Sequence, residues 1–316
     1  MTEKKVTAVV VTYNRKELLA ECLTAILNQS VRVQNIIVIN NASTDGTELL
    51  FEPQGMFYRN EIQCIHMETN TGGSGGFYEG MRIFMSEGVD WLWIMDDDTI
   101  PTTTCLEKLI EADDIIGKNK KTSFYASAIF GPDGECMNVP NIDMSASANG
   151  YPYFYRYLAD GNISIKDATF VSLLIRKDAI EKCGLPCKDY FIWGDDGEYT
   201  LRLTHYYGPA YMVGKSVAIH KRIGAKKLSM DSFQDPNRIR MYHYYVRNNI
   251  INQLYYKKDR NGAITIAKKL IQAMAAVKYL SRTNGVLRFR MFWKGTLEGI
   301  FQYRMFKSYI DAQLRK

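Results

Sequence analysis

The sequence predicts an α/β fold in which a mostly parallel, Rossmann-like sheet is flanked by helices and followed by a C-terminal helical segment. Two β-branched apolar runs, Val6–Thr12 and Asn35–Asn40, enclose a stretch, Lys16–Asn28, whose apolar residues recur at helical spacing. A strand, a helix and a strand within about 35 residues form a right-handed βαβ unit, which requires a parallel sheet covered by helices. After residue 238 the apolar residues recur only at helical spacing, which indicates a separate helical segment.

The remaining elements follow from the same patterns. Short apolar runs that end in polar loops predict strands at Gln63–Met67, Trp91–Met95, Thr169–Ile175 and Tyr211–His220, and aromatic residues 190–193 have the same pattern. Helical spacing predicts helices at Phe77–Ser86, Thr104–Ile116, Tyr199–Tyr206, Tyr242–Leu254, Ile264–Ser281 and Leu287–Phe306. Glycine-rich Thr69–Gly76 is expected to form a turn, residues 131–161 irregular structure, and basic residues 221–235 a mobile loop. Ser43 or Thr44 is expected to cap a short helix near Thr47.

Composition and charge divide the chain into two parts. The 316 residues are 46% hydrophobic and 23% charged, which excludes a disordered protein, and no run of 18 apolar residues predicts a membrane span. Six scattered cysteines are typical of a reducing cytoplasm. Residues 221–316 contain 21 basic and 5 acidic residues, a balance of +16, whereas the preceding 220 residues contain 19 and 29, a balance of −10. Because the charges are segregated, we expect different partners for the two parts, with a boundary near residues 221–237.

Three aspartates follow the predicted strand at Trp91–Met95. In open α/β sheets, ligands bind at the carboxyl ends of the strands, where Asp96, Asp97 and Asp98 would lie. Neighbouring carboxylates repel one another unless a cation neutralises them, and hard oxygen ligands suit Mg²⁺ or Mn²⁺. The alternative is an acidic turn that is only solvated.

A second acidic cluster, Asp195, Asp196 and Glu198, precedes a predicted helix. It is either a set of acids stabilised by the helix dipole or a general base beside a reacting hydroxyl. His220 ends a predicted strand and could complete a mixed nitrogen and oxygen ligand set with Asp96 and Asp98, although a lone histidine is more often a packing or surface residue.

Taken together, these stretches resemble the inverting family-2 glycosyltransferases of the GT-A fold over roughly residues 5–222. The sequence VVVTYNR at residues 9–15 resembles the family's opening strand and loop, and IIVINNASTDGT at residues 36–47 its next nucleotide-contacting stretch, with Asn40 where the family usually has aspartate. Asp96-Asp97-Asp98 resembles its DxD motif. The resemblance implies a nucleotide-sugar site formed by Thr12, Tyr13, Asn14, Arg15, Asn40, Asn70, Gly72, Gly73, Asp96 and Asp97, and a metal site of Asp96, Asp98 and His220.

A narrower resemblance is to the galactofuranosyltransferases. It rests on the glycine stretch NTGGSGGF, on WGDDGEYTLR at residues 193–202, on the position of His220, and on YYVRN at residues 244–248. By this resemblance Asp196 is the general base, Asp195 and Glu198 orient the acceptor, and Trp193 stacks on the acceptor sugar. Rhamnosyltransferases share much of the pattern.

The resemblance implies two units and a set of partners. Residues 1–222 would be a GT-A catalytic domain that uses Mn²⁺ or Mg²⁺, and residues 238–316 a basic, aromatic helical segment. The expected donor is UDP-galactofuranose, with dTDP-rhamnose as the alternative, and the expected acceptor is a glycan or glycolipid of the cell surface. The basic segment would hold a cytoplasmic enzyme at the inner face of the plasma membrane or form a homo-oligomer. A nucleotide-sugar or nucleic-acid binding protein without catalysis is the other class, but no nucleic-acid recognition motif occurs.

Overall fold

In the computed structural model, which describes residues 4–118, 120–222, 228–256 and 262–315, the described strands form one mixed sheet. In chain order the strands are β1 (Val6–Thr12), β2 (Asn35–Asn40), β3 (Ile62–His66), β4 (Trp91–Asp96), β5 (Thr99–Pro101), β6 (Phe124–Phe130), β7 (Cys136–Met137), β8 (Asn162–Ile165), β9 (Leu173–Arg176) and β10 (Ala210–His220). The helices are α1 (Lys16–Leu27), α2 (Gly72–Phe84), α3 (Cys105–Ile116), α4 (Lys177–Cys183), α5 (Asp195–Tyr206), α6 (Pro236–Tyr256), α7 (Gly262–Ala275), α8 (Gly285–Phe301) and α9 (Tyr303–Gln313).

The sheet order β3-β2-β1-β4-β9-β6-β10-β5 confirms the predicted α/β architecture with a C-terminal helical segment. Strands β3, β2, β1 and β4 are parallel, so their carboxyl ends meet at one edge. Strand β9 is antiparallel to both of its neighbours, and β10 runs parallel to β6 but antiparallel to β5. The parallel half therefore provides the edge at which a ligand is expected.

Two apolar layers cover the two faces of the sheet. Every residue of β1 is buried, as expected for a parallel strand with helices on both sides. Val10 packs with Leu19 and Leu23 of α1 on one face, and Val9 packs with Met81 of α2 on the other. This burial holds the carboxyl end of β1 in a rigid core.

The predicted glycine turn is wrong, because helix α2 begins at Gly72 and includes the glycines. A β-carbon on Gly76 would lie 2.5 Å from a methyl group of Val11, and one on Gly80 would lie 2.4 Å from a methyl group of Val9. The glycines are thus required by close helix–sheet packing. Their low helix propensity suggested a turn, and tertiary contact overrides it.

Three further local predictions are corrected. Residues 190–193 form no strand: a 3₁₀ turn at Lys188–Tyr190 leads into a bent loop. The strand expected at Thr169–Ile175 is shorter and begins later, as β9 at Leu173–Arg176. Residues Thr47–Leu50 do form a 3₁₀ turn, but neither Ser43 nor Thr44 caps it; Gly46 precedes it with φ 78°, and the Asp45 carboxylate accepts from the backbone N–H of Thr47.

The C-terminal segment consists of helices that pack on each other and on the sheet domain. Gly295 and Gly299 let α8 approach α6 closely, since added β-carbons would lie 2.4 Å from the His243 carbonyl oxygen and 2.9 Å from the Ile250 side chain. Of the loop predicted at 221–235, residues 223–227 lie outside the described residues, and Met230–Ser232 form a 3₁₀ turn. Among the described helices, none has the length and apolar character to cross a bilayer.

Candidate active site

The tight turn after β4 and the end of β10 build the first cluster. Asp96 is the last residue of β4, Asp97 and Asp98 form the turn into β5, and β5 pairs with β10 so that Thr99 lies opposite His220. Potential ligand atoms of Asp96, Asp98 and His220 consequently lie within 4.8 Å of one another. The sequence-predicted metal ligands are therefore brought together, although 122 positions separate Asp98 from His220.

The chemistry of this trio fits a hard divalent cation. Oδ1 of Asp98 is buried and accepts no hydrogen bond of good geometry, although Nε2 of His220 lies 3.0 Å away. Nδ1 of His220 lies 2.8 Å from Oδ1 of Asn138, which can only accept, so Nδ1 carries a hydrogen and Nε2 is the ring nitrogen that faces Asp98. With a cation between them, Oδ1 of Asp98 and Nε2 of the neutral imidazole would be suitable ligands for Mn²⁺ or Mg²⁺.

Arg15 and burial set the protonation of the aspartates. Arg15 Nη1 lies 3.1 Å from Asp97 Oδ1 and 2.7 Å from Asp98 Oδ2, and Thr12 donates to the other Asp97 oxygen at 2.8 Å. Burial raises the pKa of Asp97 to about 6, and burial together with Asp98 and Asp97 raises the pKa of Asp96 well above its usual range. Burial would also raise the pKa of Asp98, but His220 and Arg15 outweigh it and lower that pKa. A cation at the site would relieve the repulsion that raises the pKa of Asp96.

The loops after β1 and β2 hold each other. Oδ1 of Asn14 accepts from the Thr44 backbone N–H at 2.7 Å, and the Ser43 hydroxyl accepts from the Asn14 N–H at 2.9 Å. Asn14 has φ 52°, and the neighbouring Tyr13 ring is 45% exposed. Tyr13 thus presents an aromatic face at the edge where the parallel strands end.

Asn40 is buried and has partners for both ends of its amide. Its Oδ1 accepts from the Ser43 N–H at 3.0 Å, and its Nδ2 lies 3.1 Å from Nδ1 of His66. An amide nitrogen only donates, so Nδ1 of His66 accepts and Nε2 is left as the donor of an exposed ring. His66 also lines a cavity of about 210 Å³ with Cys64 and Tyr58. Sequence reasoning missed His66; its position as the last residue of the third parallel strand was the available signal.

The start of α2 is fixed by Asn41, which sequence reasoning also missed. Its Oδ1 accepts from the Thr71 N–H at 3.0 Å, and its Nδ2 donates to the Gly72 carbonyl at 2.9 Å. Asn70 Oδ1 accepts from the Gly72 N–H at 2.8 Å. Gly72 has φ 73° and abuts the Phe191 carbonyl, whereas a β-carbon at Gly73 would meet no atom within 4 Å. Of the two predicted glycines, Gly72 has a packing role and Gly73 borders open space.

Asp195 and Asp196 occupy the first turn of α5, after Gly194 with φ 98°. Burial and the neighbouring Asp196 raise the pKa of Asp195 to about 8, and burial raises the pKa of Asp196 to about 6. Asp195 is also close enough to contribute to the raised pKa of Asp96. The two acidic clusters therefore lie near enough for Asp195 to repel Asp96, although 96 positions of the chain lie between Asp98 and Asp195.

The structure gives Glu198 other partners than an acceptor. Its carboxylate forms a two-point ion pair with Arg202, at 2.9 Å and 2.5 Å, and accepts from the Tyr256 hydroxyl at 2.7 Å. The side chains of Glu198 and Arg202 are both 0% exposed. Because these contacts occupy both carboxylate oxygens, we revise the predicted acceptor-binding role of Glu198 to a structural one.

Trp193 faces the C-terminal segment. Its ring stacks on Phe233 with centroids 5.5 Å apart, and the Arg238 guanidinium lies 5.8 Å from the Trp193 ring centre. The Trp193 ring, which was predicted to stack on an acceptor sugar, is thus bordered by residues from beyond position 222. Sequence reasoning assigned no site residue to that region.

The sheet and the acidic edge have the architecture of the GT-A glycosyltransferases. The profile described as Glycosyl transferase family 2 matches residues 7–184, more than half of the chain. The chain belongs to this family, as its motifs predicted.

The chain is also similar to individual galactofuranosyltransferases. Galactofuranosyltransferase GlfT1 of Mycolicibacterium smegmatis is 37% identical over 210 residues, which are 63% of this chain and 65% of that protein. The protein of the same name from Mycobacterium tuberculosis is 35% identical over 102 residues, 31% of each chain. The match thus spans just under two thirds of the M. smegmatis relative.

Solved structures share the fold at low sequence identity. TarS of S. aureus has a TM-score of 0.53 and 12% identity, with 95% of this chain and 54% of TarS covered. GalNAc-T7, solved with UDP, GalNAc and Mn²⁺, has a TM-score of 0.59 and 11% identity, with 98% and 57% covered. These likenesses concern the architecture.

Proposed function

We propose that this protein is a metal-dependent, inverting glycosyltransferase that transfers galactofuranose from UDP-galactofuranose to a hydroxyl of a cell-surface glycan. The observation that carries the proposal is the meeting of two different acidic clusters at one sheet edge. One cluster, with Asp96, Asp98 and His220, fits a cation, and the other offers carboxylates of raised pKa. A cation for the leaving diphosphate beside a base for the acceptor is what displacement at an anomeric carbon requires.

The donor end follows from the residues at the parallel edge. Asp98 and His220, with Asp96, would hold Mn²⁺ or Mg²⁺, and the bound ion would neutralise the charge that develops on the departing diphosphate. Tyr13 offers a ring for the nucleobase, and Thr12, Arg15 and Asp97 keep the loop after β1 in place. Gly73 leaves room beside the start of α2, where backbone N–H groups attract phosphate.

For the nucleobase contact we propose residues beside the predicted Asn40. Since the Asn40 amide is already bonded at both ends, we assign the accessible contact to the neighbouring His66 and to the exposed Tyr13. Asn14 and Asn70 shape the loops around this contact, the first by joining two loops and the second by holding the N–H of Gly72.

The acceptor end uses the second cluster. Asp196, whose Oδ1 accepts from the Gly197 backbone N–H at 2.7 Å, would take the proton of the attacking hydroxyl. Asp195 would orient the acceptor, and Trp193 would stack on its sugar. A pKa raised to about 6 suits a base that works near neutral pH, since a stronger base removes a proton more readily.

We propose that the protein acts at a membrane surface, because α7 exposes an apolar face. This helix turns small residues inward, Thr265 and Ala273, while Ile271 and Met274 are 59% and 57% exposed. In the following 3₁₀ turn, Ala276–Ser281, Val277 is 58% exposed. Residues 262–297 contain seven basic residues and no acidic one. An exposed apolar face within a purely basic stretch suits the interface of anionic lipids, as amphipathic surface helices do.

The donor sugar and stereochemistry are testable together. The purified chain should transfer sugar from UDP-galactofuranose to a galactoside or rhamnoside acceptor only with Mn²⁺ or Mg²⁺, and NMR should show the opposite anomeric configuration in the product. Transfer from dTDP-rhamnose instead would support the rhamnosyltransferase alternative. Retention of configuration, or binding of both nucleotides without any transfer or hydrolysis, would contradict the proposed reaction.

A further inference from the structure

The loop before the second acidic cluster has an unusual backbone. Phe191 and Trp193 adopt φ values of 65° and 61°, and Gly194 follows with φ 98°. A left-handed conformation is unfavourable for aromatic residues, and two of them within three positions persist only where surrounding contacts impose the conformation. This loop, residues 190–194, runs directly into Asp195, so its shape determines where the acidic cluster points.

A single side chain from the C-terminal segment holds this loop. Nδ2 of Asn248, on α6, donates to the carbonyls of Tyr190, Ile192 and Trp193 at 3.0, 3.1 and 2.8 Å. Asn248 is 0% exposed, and its Oδ1 accepts from Nε of Arg247 at 2.9 Å. The two hydrogens of one amide thus serve three carbonyls of a strained five-residue loop, so one hydrogen is shared between two carbonyls.

Neighbours of Asn248 extend the contact at both ends of the loop. Arg247 donates to the Asp189 carbonyl at 2.7 Å, and Asn252 Nδ2 donates to the Gly194 carbonyl at 2.8 Å. Asn252 lies one helical turn after Asn248, so both face the loop from the same side of α6. Gly194 is the residue immediately before α5, and the Asn252 contact therefore lies one residue from Asp195.

The donor side of the site contacts the same loop. The Ser74 N–H, in the first turn of α2, donates to the Phe191 carbonyl at 3.1 Å, and Gly72 has no room for a β-carbon against that carbonyl. The Phe191 ring also stacks on Tyr244 of α6, with centroids 4.8 Å apart. The loop is therefore held between the donor-side helix and the C-terminal helix.

We propose that Asn248 is a positioning residue for the reaction: it holds residues 190–194 so that Asp195 and Asp196 face the donor edge. The proposal rests on the proposed function, since it assigns the geometry of that active site to α6. The C-terminal segment is then part of the catalytic unit. In the YYVRN stretch, Arg247 and Asn248 are the residues that donate to carbonyls of the loop. Loss of this hold displaces the acidic cluster, whereas Asp96, Asp98 and His220 are held by β4, β5 and β10 and keep their places.

The test replaces Asn248 by aspartate, which has the same shape and no donor for the three carbonyls. Arg247 can still donate to an aspartate oxygen, which helps the variant to fold. Asn249→Asp is the matched control, because Asn249 lies next on the same helix and its Oδ1 accepts from Gln253. We expect kcat to fall about 10- to 100-fold in Asn248→Asp, as misplacement near 1 Å can cost about 100-fold, with the donor KM and the Kd for UDP with Mn²⁺ within about twofold.

A merely structural role would lower the melting temperature of Asn248→Asp without changing kcat per folded molecule well below that temperature. That outcome, or equal effects in Asn249→Asp, would overturn the proposal. If Asn248→Asp does not fold, Asn252→Asp replaces it, since this change removes only the donor to Gly194. Asn252→Asp should lower kcat about threefold or more at unchanged donor KM. An unchanged kcat in Asn252→Asp would also overturn the proposal. Wild-type protein that binds UDP with Mn²⁺ but transfers no sugar would instead contradict the proposed function itself.

Discussion

Glu198→Gln separates a structural role for this carboxylate from the acceptor-binding role that its sequence context suggested. The substitution keeps the shape and the hydrogen bond from Tyr256 but leaves the Arg202 guanidinium, 0% exposed, without its counter-charge. Breaking a buried ion pair by removing one partner costs about 3–5 kcal/mol. Arg202 keeps bonds to the carbonyls of Cys183 and Leu185, at 3.1 and 2.9 Å, so we expect the lower end of that range.

The loss should be visible in thermal and urea unfolding. A loss of about 3 kcal/mol corresponds to a melting temperature lower by roughly 6–12 °C for a domain of this size. Glu181→Gln is the matched control, because Glu181 is exposed on α4, and it should melt within about 1–2 °C of wild type since exposed substitutions change stability little. The double variant Glu198→Gln with Arg202→Met removes both charges and should recover much of the lost stability.

Kinetics at low temperature complete the test. The acceptor KM of folded Glu198→Gln should remain near wild type, because both oxygens of Glu198 are already bonded within the protein. If Glu198→Gln instead melts at the wild-type temperature and has a raised acceptor KM, the structural role is wrong and the acceptor-binding role stands.

Three other predictions follow from the site and the surface. Asp196→Asn should lower kcat by about two to four orders of magnitude while UDP binding persists, and the wild-type kcat should fall as pH drops through about 6, where the base becomes protonated. The pKa of Asp196 is higher in the folded state than in the unfolded state, so the stability that Asp196 contributes in its protonated form is lost as pH rises from 3.8 towards 6. Asp196→Asn should therefore have a higher melting temperature than wild type at pH 7 and a similar one at pH 4. Equal melting temperatures at pH 7 would contradict the argument that burial raises this pKa. EDTA should abolish transfer, and His220→Ala should raise the Mn²⁺ concentration that half-restores it, which full activity in EDTA would contradict. Vesicles made of equal parts of phosphatidylglycerol and phosphatidylcholine should bind the full chain at low salt and bind it less at about 0.5 M NaCl. The double variant Ile271→Asp with Met274→Asp should lose this binding. Equal binding to vesicles of pure phosphatidylcholine would contradict the proposed anionic surface.

Local pattern predicted the elements well where a buried strand or an amphipathic helix determines the spacing of apolar residues. The bounds of β1 and β2 were predicted to the residue, and α3 to within one residue. Prediction failed at the glycines of α2 and at residues 190–193. In both places the backbone conformation is imposed by partners distant in sequence, Val9 and Val11 of β1 in the first case and Asn248 of α6 in the second.

The sequence by itself determined the α/β class, the family and the identity of the acidic clusters, because these depend on residue spacing and short motifs. It could not show which acidic residue is free to react. Glu198 and Asp196 lie two positions apart on one helix, yet only the tertiary structure buries the Glu198–Arg202 pair and adds the Tyr256 hydroxyl of α6 as a further partner. The Asp196 carboxylate instead accepts from the backbone N–H of Gly197. The same holds for His220 beside Asp98, which depends on the pairing of β5 with β10. Contacts between distant segments form only when the sheet is assembled, and for that reason the roles within each cluster were decided by the fold.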